Sequence, residues 1–189
     1  MNLWRGGSRL SETIRLARPE DAARVREVIH EAYALIRELN LHWPAAHADV
    51  PLVRDNIAEN ECYVLEIDGR IAATITLSRK EEVRHWTDLP FLKWFAVHPD
   101  YQGKGIGGRL LAYVEREVVL GRLGAPAVTL ATAEKHPWLL PMYERRGYER
   151  FIAFDPGNGD GTMHLLRKIL DPAKFGEVHA IGGDRRDTG

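Results

Sequence analysis

The segment VHPDYQGKGIGGRLL, residues 97–111, constrains the fold more than any other part of the chain. An apolar run over residues 91–97 leads into a turn dense in glycine, and the turn opens directly into an amphipathic helix. Glycine lets the backbone approach a ligand closely, and the first turn of a helix carries free N–H groups and partial positive charge. A strand, a glycine turn and a helix start in this order predict a site for a pyrophosphate.

The spacing Q-x-x-G-x-G over residues 102–107, after a short strand and a His-Pro pair, resembles motif A of the GNAT superfamily of N-acetyltransferases. A second segment, LPMYERRGY over residues 140–148, resembles the LYEKLGF segment of that family, and its Tyr143 lies 36 residues after Gly107. The resemblance covers residues 13–170. It implies that acetyl-CoA is the cosubstrate. It also implies that an acetyl or other short acyl group passes to a primary amine by direct attack in a ternary complex.

The resemblance also implies roles for particular residues. Tyr143 corresponds to the general acid that protonates the departing CoA thiolate, although a core aromatic on a helix is the alternative. His136 stands where the family often has an asparagine that hydrogen-bonds the pantetheine arm, unless its His-Pro pair simply ends a strand. A side chain at Gly107 is expected to fill space that the phosphates need. The strand and turn residues implied in cofactor binding are Phe95, Ala96, Val97, Gln102, Gly103, Lys104, Gly105, Ile106, Gly107 and Gly108.

Two other function classes stay open. Residues 103–108 also satisfy the dinucleotide fingerprint G-x-G-x-x-G of NAD(P)-binding oxidoreductases. That fingerprint belongs almost directly after the first strand, whereas five residues intervene here and roughly 90 precede, and Glu134 lies beyond the usual ~20-residue offset. A P-loop is excluded because no Gly-Lys pair is followed by Ser or Thr. An acyl-CoA sensor without turnover is the other class, and Tyr143 argues against it.

The composition of the 189 residues, with 44% hydrophobic and 28% charged, is typical of one globular domain. A net charge of −1 gives no argument for nucleic acid or a membrane surface as a partner. The single cysteine, Cys62, excludes an intrachain disulfide and lies in an apolar strand pattern, so we expect a buried thiol. Because no long apolar run or signal peptide appears, we expect a cytoplasmic protein. His42 and His47 lack the companions of a metal site, and no metal is expected.

Hydrophobic periodicity predicts the element order β-α-α-β-β-β-α-β-α-β-β, with a tight hairpin at Asp68-Gly69. This order fits the GNAT resemblance, which implies an α/β fold: a mixed, mainly antiparallel sheet, splayed around a central parallel strand pair and flanked by helices. We expect a flexible N-terminus over residues 1–12, the N-acetyltransferase domain over 13–170, and a mobile C-terminal tail over 171–189.

The acceptor side is the part that the sequence predicts least. A small-molecule or peptide amine is expected as the acceptor, and the oligomeric state is not indicated. Glu81, Glu82 and Asp88 precede the motif strand and are candidates for the base, with a solvated charged loop as the alternative. Trp43 and Trp86 are candidates for a wall of the acceptor pocket, or else for loop packing.

Overall fold

The computed structural model describes residues 11–182, and the side chains of residues 11–177. A seven-stranded sheet runs through this range in the order β1-β2-β3-β4-β5-β7-β6. Only the central pair, β4 and β5, is parallel, and every other neighbouring pair is antiparallel. The strands are β1 (Glu12–Leu16), β2 (Glu61–Ile67), β3 (Arg70–Leu77), β4 (Phe91–Val97), β5 (Ala127–Ala133), β6 (Glu149–Phe154) and β7 (Met163–Ile169).

Helices cover both faces of this sheet and bury a separate core cluster on each face. One cluster packs α4, its continuation and α5 against the sheet, and includes Leu65, Leu110 and Leu166. The other packs α1, α2 and α3, and includes Val28 and Val64. The helices are α1 (Ala22–Ala32), α2 (Ala34–Glu38), α3 (Val50–Glu59), α4 (Ile106–Tyr113), which continues as a π-helix (Val114–Arg122), α5 (Leu139–Arg145) and α6 (Pro172–Gly182).

The predicted fold class is confirmed, as is the turn at Asp68-Gly69 between β2 and β3. The predicted element order is found with two additional helices, α2, which follows directly after the first helix, and α6. The buried thiol is also confirmed, since Cys62 is 2% exposed and its Sγ lies 3.3 Å from Oγ1 of Thr74. Within residues 11–182, no helix is long and apolar enough to cross a membrane.

The structure describes only part of each predicted terminal segment. Residues 1–10 and 183–189 lie outside the described residues. Inside the described range, β1 already begins at Glu12, and α6 occupies Pro172–Gly182. The sequence did not predict α6, because its few apolar residues lie among glycine and charged residues and give no amphipathic pattern. The mobility of both termini stays a prediction.

The parallel pair separates at a bulge in β4, and this separation creates the site. The pair is joined only at its start, where Phe91 lies opposite Thr129 and the next residues pair likewise. Trp94 then adopts a left-handed backbone with φ of 54°, and the register against β3 shifts at the same place. A bulge bends its strand and increases its twist. Beyond Trp94, β4 therefore diverges from β5, and an opening passes through the sheet.

Candidate active site

A cavity of about 780 Å³ occupies the opening between β4 and β5 and is lined by members of both core clusters. Its volume falls within the range of about 300–1,000 Å³ that is usual for small-molecule sites. On the side of α4 and α5, the wall comprises the glycine turn, residues of α5 and the residue that follows α5, and we call this the glycine-loop end. On the side of α1 and α2, the wall is largely aromatic, and we call this the aromatic end. The glycine-loop end includes Val97, Gln102, Gly105, Gly107, Tyr143 and Arg146, and the aromatic end includes Tyr33, Trp43, Glu82, Lys93, Trp94 and Met163.

The glycine turn presents the start of α4 to the cavity. Gly105 is the N-cap of this helix and has a φ of 73°, a backbone conformation that glycine adopts without steric cost. The N–H groups of the first helical turn have no partner inside the helix and face the positive end of its dipole. Upstream, the side-chain amide of Gln102 donates a hydrogen bond of 3.0 Å to the carbonyl of Val97, which fixes the turn against the end of β4. The arrangement suits an anion.

Gly107 lies where α4 packs directly against β4. A Cβ built on it would lie 2.8 Å from Cγ2 of Val97 and 3.2 Å from Cζ of Phe95, so the helix passes very close to β4. Its φ is not positive. The nearest neighbours of a side chain here would therefore be core side chains on β4. The expectation that it would fill phosphate space stays a prediction.

Eleven of the twelve predicted site residues line the cavity, and Lys104 does not. The ammonium of Lys104 donates a hydrogen bond of 2.7 Å to the carbonyl of Asp100, and it lies 5.6 Å from the centre of the Tyr101 ring. Its charge is therefore used within the turn. The eleven that the structure brings together are Phe95, Ala96, Val97, Gln102, Gly103, Gly105, Ile106, Gly107, Gly108, His136 and Tyr143.

Tyr143 lies on α5 and is 6% exposed, with its ring edge against Tyr148 at a centroid distance of 5.6 Å. Burial raises the pKa of the Tyr143 hydroxyl far above its usual value, and the positive charge of Arg146 lowers it in part. The hydroxyl therefore keeps its proton at neutral pH. A protonated phenol that borders the cavity can donate that proton to a leaving group.

His136 is 3% exposed, and its Nδ1 atom is buried without a hydrogen-bond partner among the described residues. The ring stacks on Trp43 at 6.5 Å and 15°, and the edge of Trp138 lies 4.8 Å away. Burial lowers the pKa of His136, so the imidazole is neutral at pH 7. Because buried polar atoms in proteins are nearly always paired, this nitrogen at the cavity wall is a place for a ligand to bond.

The sequence missed Tyr33 and Arg146, which both line the cavity. The hydroxyl of Tyr33 donates a hydrogen bond of 3.0 Å to the carbonyl of Phe95, and its ring meets Trp43 edge to face at 6.3 Å. Tyr33 directly follows α1 and continues the spacing of its apolar stripe, so in sequence it matches a core residue. The only available signal for Arg146 was its position one helical turn after Tyr143.

The structure distinguishes among the three carboxylates nominated as a base. Glu82 lines the aromatic end, where its Oε1 accepts a hydrogen bond of 2.9 Å from Ser78 and pairs with Lys93. Glu81 and Asp88 instead line a separate cavity of about 300 Å³, and both pair with Arg84. Glu82 is thus the one carboxylate among the described residues that lines the larger cavity.

The structure also places the two candidate tryptophans in different environments. Trp43 lines the aromatic end, whereas Trp86 packs on Phe154 at 4.4 Å and is not part of the cavity wall. Across residues 11–177, no group of three or more His, Cys, Asp or Glu side chains is arranged to hold a metal ion.

Comparisons with known proteins show which family this chain resembles. A family model described as "Acetyltransferase (GNAT) domain" matches residues 58–150. The S-alkylcysteine N-acetyltransferase of Bacillus subtilis is 41% identical over 166 residues, which is 87% of this chain and 92% of that protein. The S-(2-succino)cysteine N-acetyltransferase of the same organism is 46% identical over 158 residues, which is 82% of this chain and 94% of that protein.

Solved structures share the fold at lower identity. The ribosomal-protein-S18-alanine N-acetyltransferase of Escherichia coli has a TM-score of 0.65 and 19% identity, with 85% of this chain and 95% of that chain covered. The PaiA N-acetyltransferase of Thermoplasma acidophilum, solved in complex with coenzyme A, also has a TM-score of 0.65 and 19% identity, with 84% and 99% covered.

The chain belongs to the GNAT acetyltransferases. It is an N-acetyltransferase that transfers an acetyl group from acetyl-CoA to an amine acceptor. The residues present fit acetyl-CoA: unpaired N–H groups start α4, and the buried Nδ1 of His136 and Nε of Arg146 have no partner in the described part of the chain. Neither similarity nor site chemistry favours an NAD(P)-binding oxidoreductase.

Proposed function

We propose that the acceptor is the α-amine of an S-substituted cysteine. The two Bacillus subtilis relatives are named for an S-alkylcysteine and for S-(2-succino)cysteine, and both align over more than four fifths of this chain. These two acceptors share an amino acid head group and a thioether, and they differ in the substituent on sulfur. An enzyme for this class needs an apolar wall for the thioether and charges of both signs for the head group.

The aromatic end supports this proposal, and it is the observation that carries it. Trp43, Trp94 and Met163 give it a polarisable apolar wall, which suits a thioether and its substituent. The ion pair between Glu82 and Lys93 lies in the same wall and supplies one carboxylate and one ammonium. A zwitterionic head group can meet both, with its ammonium at Glu82 and its carboxylate at Lys93.

We propose direct attack of the amine on the thioester, with Glu82 and Tyr143 moving the two protons. Acetyl-CoA supplies the activated acetyl group. Glu82 accepts a proton from the acceptor ammonium, which frees the lone pair that forms the new C–N bond. The C–S bond breaks and Tyr143 donates its proton to the sulfur. The second proton that the new amide nitrogen loses then restores the Tyr143 hydroxyl. Cys62 is unsuited to carry an acyl group, because it is buried away from the cavity wall and burial raises the pKa of its thiol.

We also propose that acetyl-CoA contacts the strand and turn residues for which the sequence predicted cofactor binding. The backbone of residues 95–97 borders the opening and is the edge along which a pantetheine arm can bond, with Nδ1 of His136 opposite. The carbonyl of Phe95 already accepts the hydroxyl of Tyr33 and keeps one lone pair for this purpose. The turn at Gly103 to Gly108 then receives the pyrophosphate.

We further propose that the protein works in the cytoplasm, which cell fractionation tests.

A thiol-release assay with acetyl-CoA and a panel of acceptors tests the acceptor class. The panel contains S-methylcysteine, S-benzylcysteine, S-(2-succino)cysteine, unsubstituted cysteine, spermidine and a peptide with a free N-terminal alanine. We expect kcat/KM for at least one S-substituted cysteine to exceed that for cysteine by about tenfold or more, which is the effect of filling an apolar pocket. A faster reaction with spermidine or with the peptide would refute the proposed acceptor.

A further inference from the structure

We propose that Arg146 binds the pyrophosphate of acetyl-CoA through its guanidinium, together with the glycine turn. Neither motif assigns this residue a role, and its position emerges only from the fold. Arg146 follows directly after α5, yet its side chain lines the glycine-loop end of the cavity. The proposal rests on the use of acetyl-CoA and not on the identity of the acceptor.

The first observation is that Arg146 lacks the partners that neighbouring arginines have. Arg109 on α4 pairs with Glu12 at 2.8 Å, and Arg150 on β6 pairs with Glu144 at 2.7 Å. Within residues 11–177, no carboxylate pairs with Arg146, and its Nε is buried without a hydrogen-bond partner. A partly buried guanidinium without an anion is costly, because it loses water and gains nothing in return.

The second observation is the position of this cation over the first turn of α4. A Cβ built on Gly108 would lie 3.6 Å from Nη2 of Arg146, so the guanidinium rests beside the third residue of the helix. The free N–H groups of this turn and the charge of Arg146 therefore converge on one region of the cavity. An anion that bonds to the turn lies within reach of the guanidinium.

A phosphate group suits these hydrogen-bond donors better than a carboxylate group does. A guanidinium presents a planar fork of N–H groups that matches two phosphate oxygens, and its charge is permanent at physiological pH. A pyrophosphate has enough oxygens to accept from the turn and from the fork together. Loss of one charge-assisted hydrogen bond of this kind weakens binding by about 10- to 100-fold.

Isothermal titration calorimetry of Arg146→Met, without any acceptor, tests the proposal. The ligands are acetyl-CoA, its 3′-dephospho form and S-acetylpantetheine, which carries no phosphate. We expect the Kd of the first two to rise about 10- to 100-fold and that of S-acetylpantetheine to stay unchanged. Arg146→Lys, which keeps the charge and loses the fork, should lose less. Arg145→Met is the matched control, because Arg145 is adjacent and exposed, and it should bind all three ligands normally.

Each other outcome overturns the assignment. Unchanged affinity for acetyl-CoA in Arg146→Met excludes Arg146 as a ligand. A loss confined to acetyl-CoA and absent with the dephospho form assigns Arg146 to the 3′-phosphate instead of the pyrophosphate. An equal loss with S-acetylpantetheine makes the residue structural. Thermal melts monitored by circular dichroism confirm that both methionine variants are folded before titration, and Arg146→Lys provides the comparison if Arg146→Met is not.

Discussion

Two adjacent glycines in the first turn of α4 should respond in opposite ways to the same substitution. At Gly107, a Cβ lies 2.8 Å from Cγ2 of Val97 and 3.2 Å from Cζ of Phe95, both closer than carbon atoms pack. At Gly108, the nearest atom is Nη2 of Arg146 at 3.6 Å, which is an ordinary contact. Gly107→Ala should therefore strain the interface between α4 and β4, and Gly108→Ala should not.

The expected difference in unfolding free energy between the two variants follows once the contribution that they share is cancelled. Alanine for glycine in a helix stabilises by up to about 1 kcal/mol, and this gain is common to both positions. Only Gly107→Ala also overpacks a core, which costs about 1–3 kcal/mol. Val97 can yield little, because a β-branched side chain is stiff at χ1 and because it packs against the core cluster below α4. The difference of about 1–3 kcal/mol between the variants corresponds to about 2–12 °C in Tm for a chain of this size.

Differential scanning calorimetry of both variants and the wild type, without ligand, measures this difference. Gly108→Ala should melt at or above the wild-type temperature, and Gly107→Ala below Gly108→Ala by the amount given. In the double variant Val97→Ala/Gly107→Ala, the truncated side chain removes Cγ2, and the two changes should couple favourably by about 1 kcal/mol. Equal melting of the two glycine variants, or strict additivity in the double variant, would show that the close approach of α4 to β4 is not what requires Gly107.

Three further substitutions test the proposed roles of cavity residues. Tyr143→Phe should lower kcat by about 10²-fold, with the Kd for acetyl-CoA unchanged in calorimetry, because it removes only the donated proton; an unchanged kcat while chemistry is rate-limiting would make Tyr143 a packing residue. Glu82→Gln should lower kcat/KM at pH 7, and the loss should shrink in a pH series above about 8, where the α-amine loses its proton unaided; a loss that is constant with pH would argue against a base. His136→Gln should remove part of the decline in unfolding free energy below pH 6.5. The reason is that the lowered pKa lets the unfolded chain bind more protons than the native state there; urea titrations at pH 7.5 and 5.5 measure it, and an undiminished decline contradicts it.

The glycine turn could be predicted from the sequence because it is local. Residues 91–113 form one continuous strand, turn and helix, and their glycine positions and apolar spacing report that structure directly. Tyr143 lies on another helix, but its own motif marks it. The close packing at Gly107 could not be predicted in this way, because the atoms that its Cβ would meet belong to side chains on β4, and their distance depends on how α4 packs.

The aromatic end could not be predicted because its residues meet only through tertiary packing. Tyr33 is indistinguishable in spacing from the core residues of α1, and its contact with the carbonyl of Phe95 spans 62 residues of sequence. Trp43 and Trp86 are equally plausible loop aromatics on sequence grounds, and only the fold places the first in the cavity and the second against Phe154. Likewise, three carboxylates precede β4, and only Glu82 reaches the cavity.

The hydrogen bonds that position the aromatic end indicate which loops would determine acceptor specificity. Asp160, in the loop between β6 and β7, is 2% exposed and accepts hydrogen bonds of 2.8 Å from both the backbone N–H and Nδ1 of His42. Burial alone would raise the pKa of Asp160, but these hydrogen bonds outweigh it and hold the pKa below its usual value. These two hydrogen bonds join the β6–β7 loop to the loop that carries His42 and, directly after it, Trp43. The glycine turn therefore depends on one contiguous segment, whereas the placement of Trp43 depends on two loops joined across 118 residues. Changes in either loop can reshape the proposed acceptor wall and leave the glycine turn intact, which fits two relatives that are both named as N-acetyltransferases but for different substituents on cysteine sulfur.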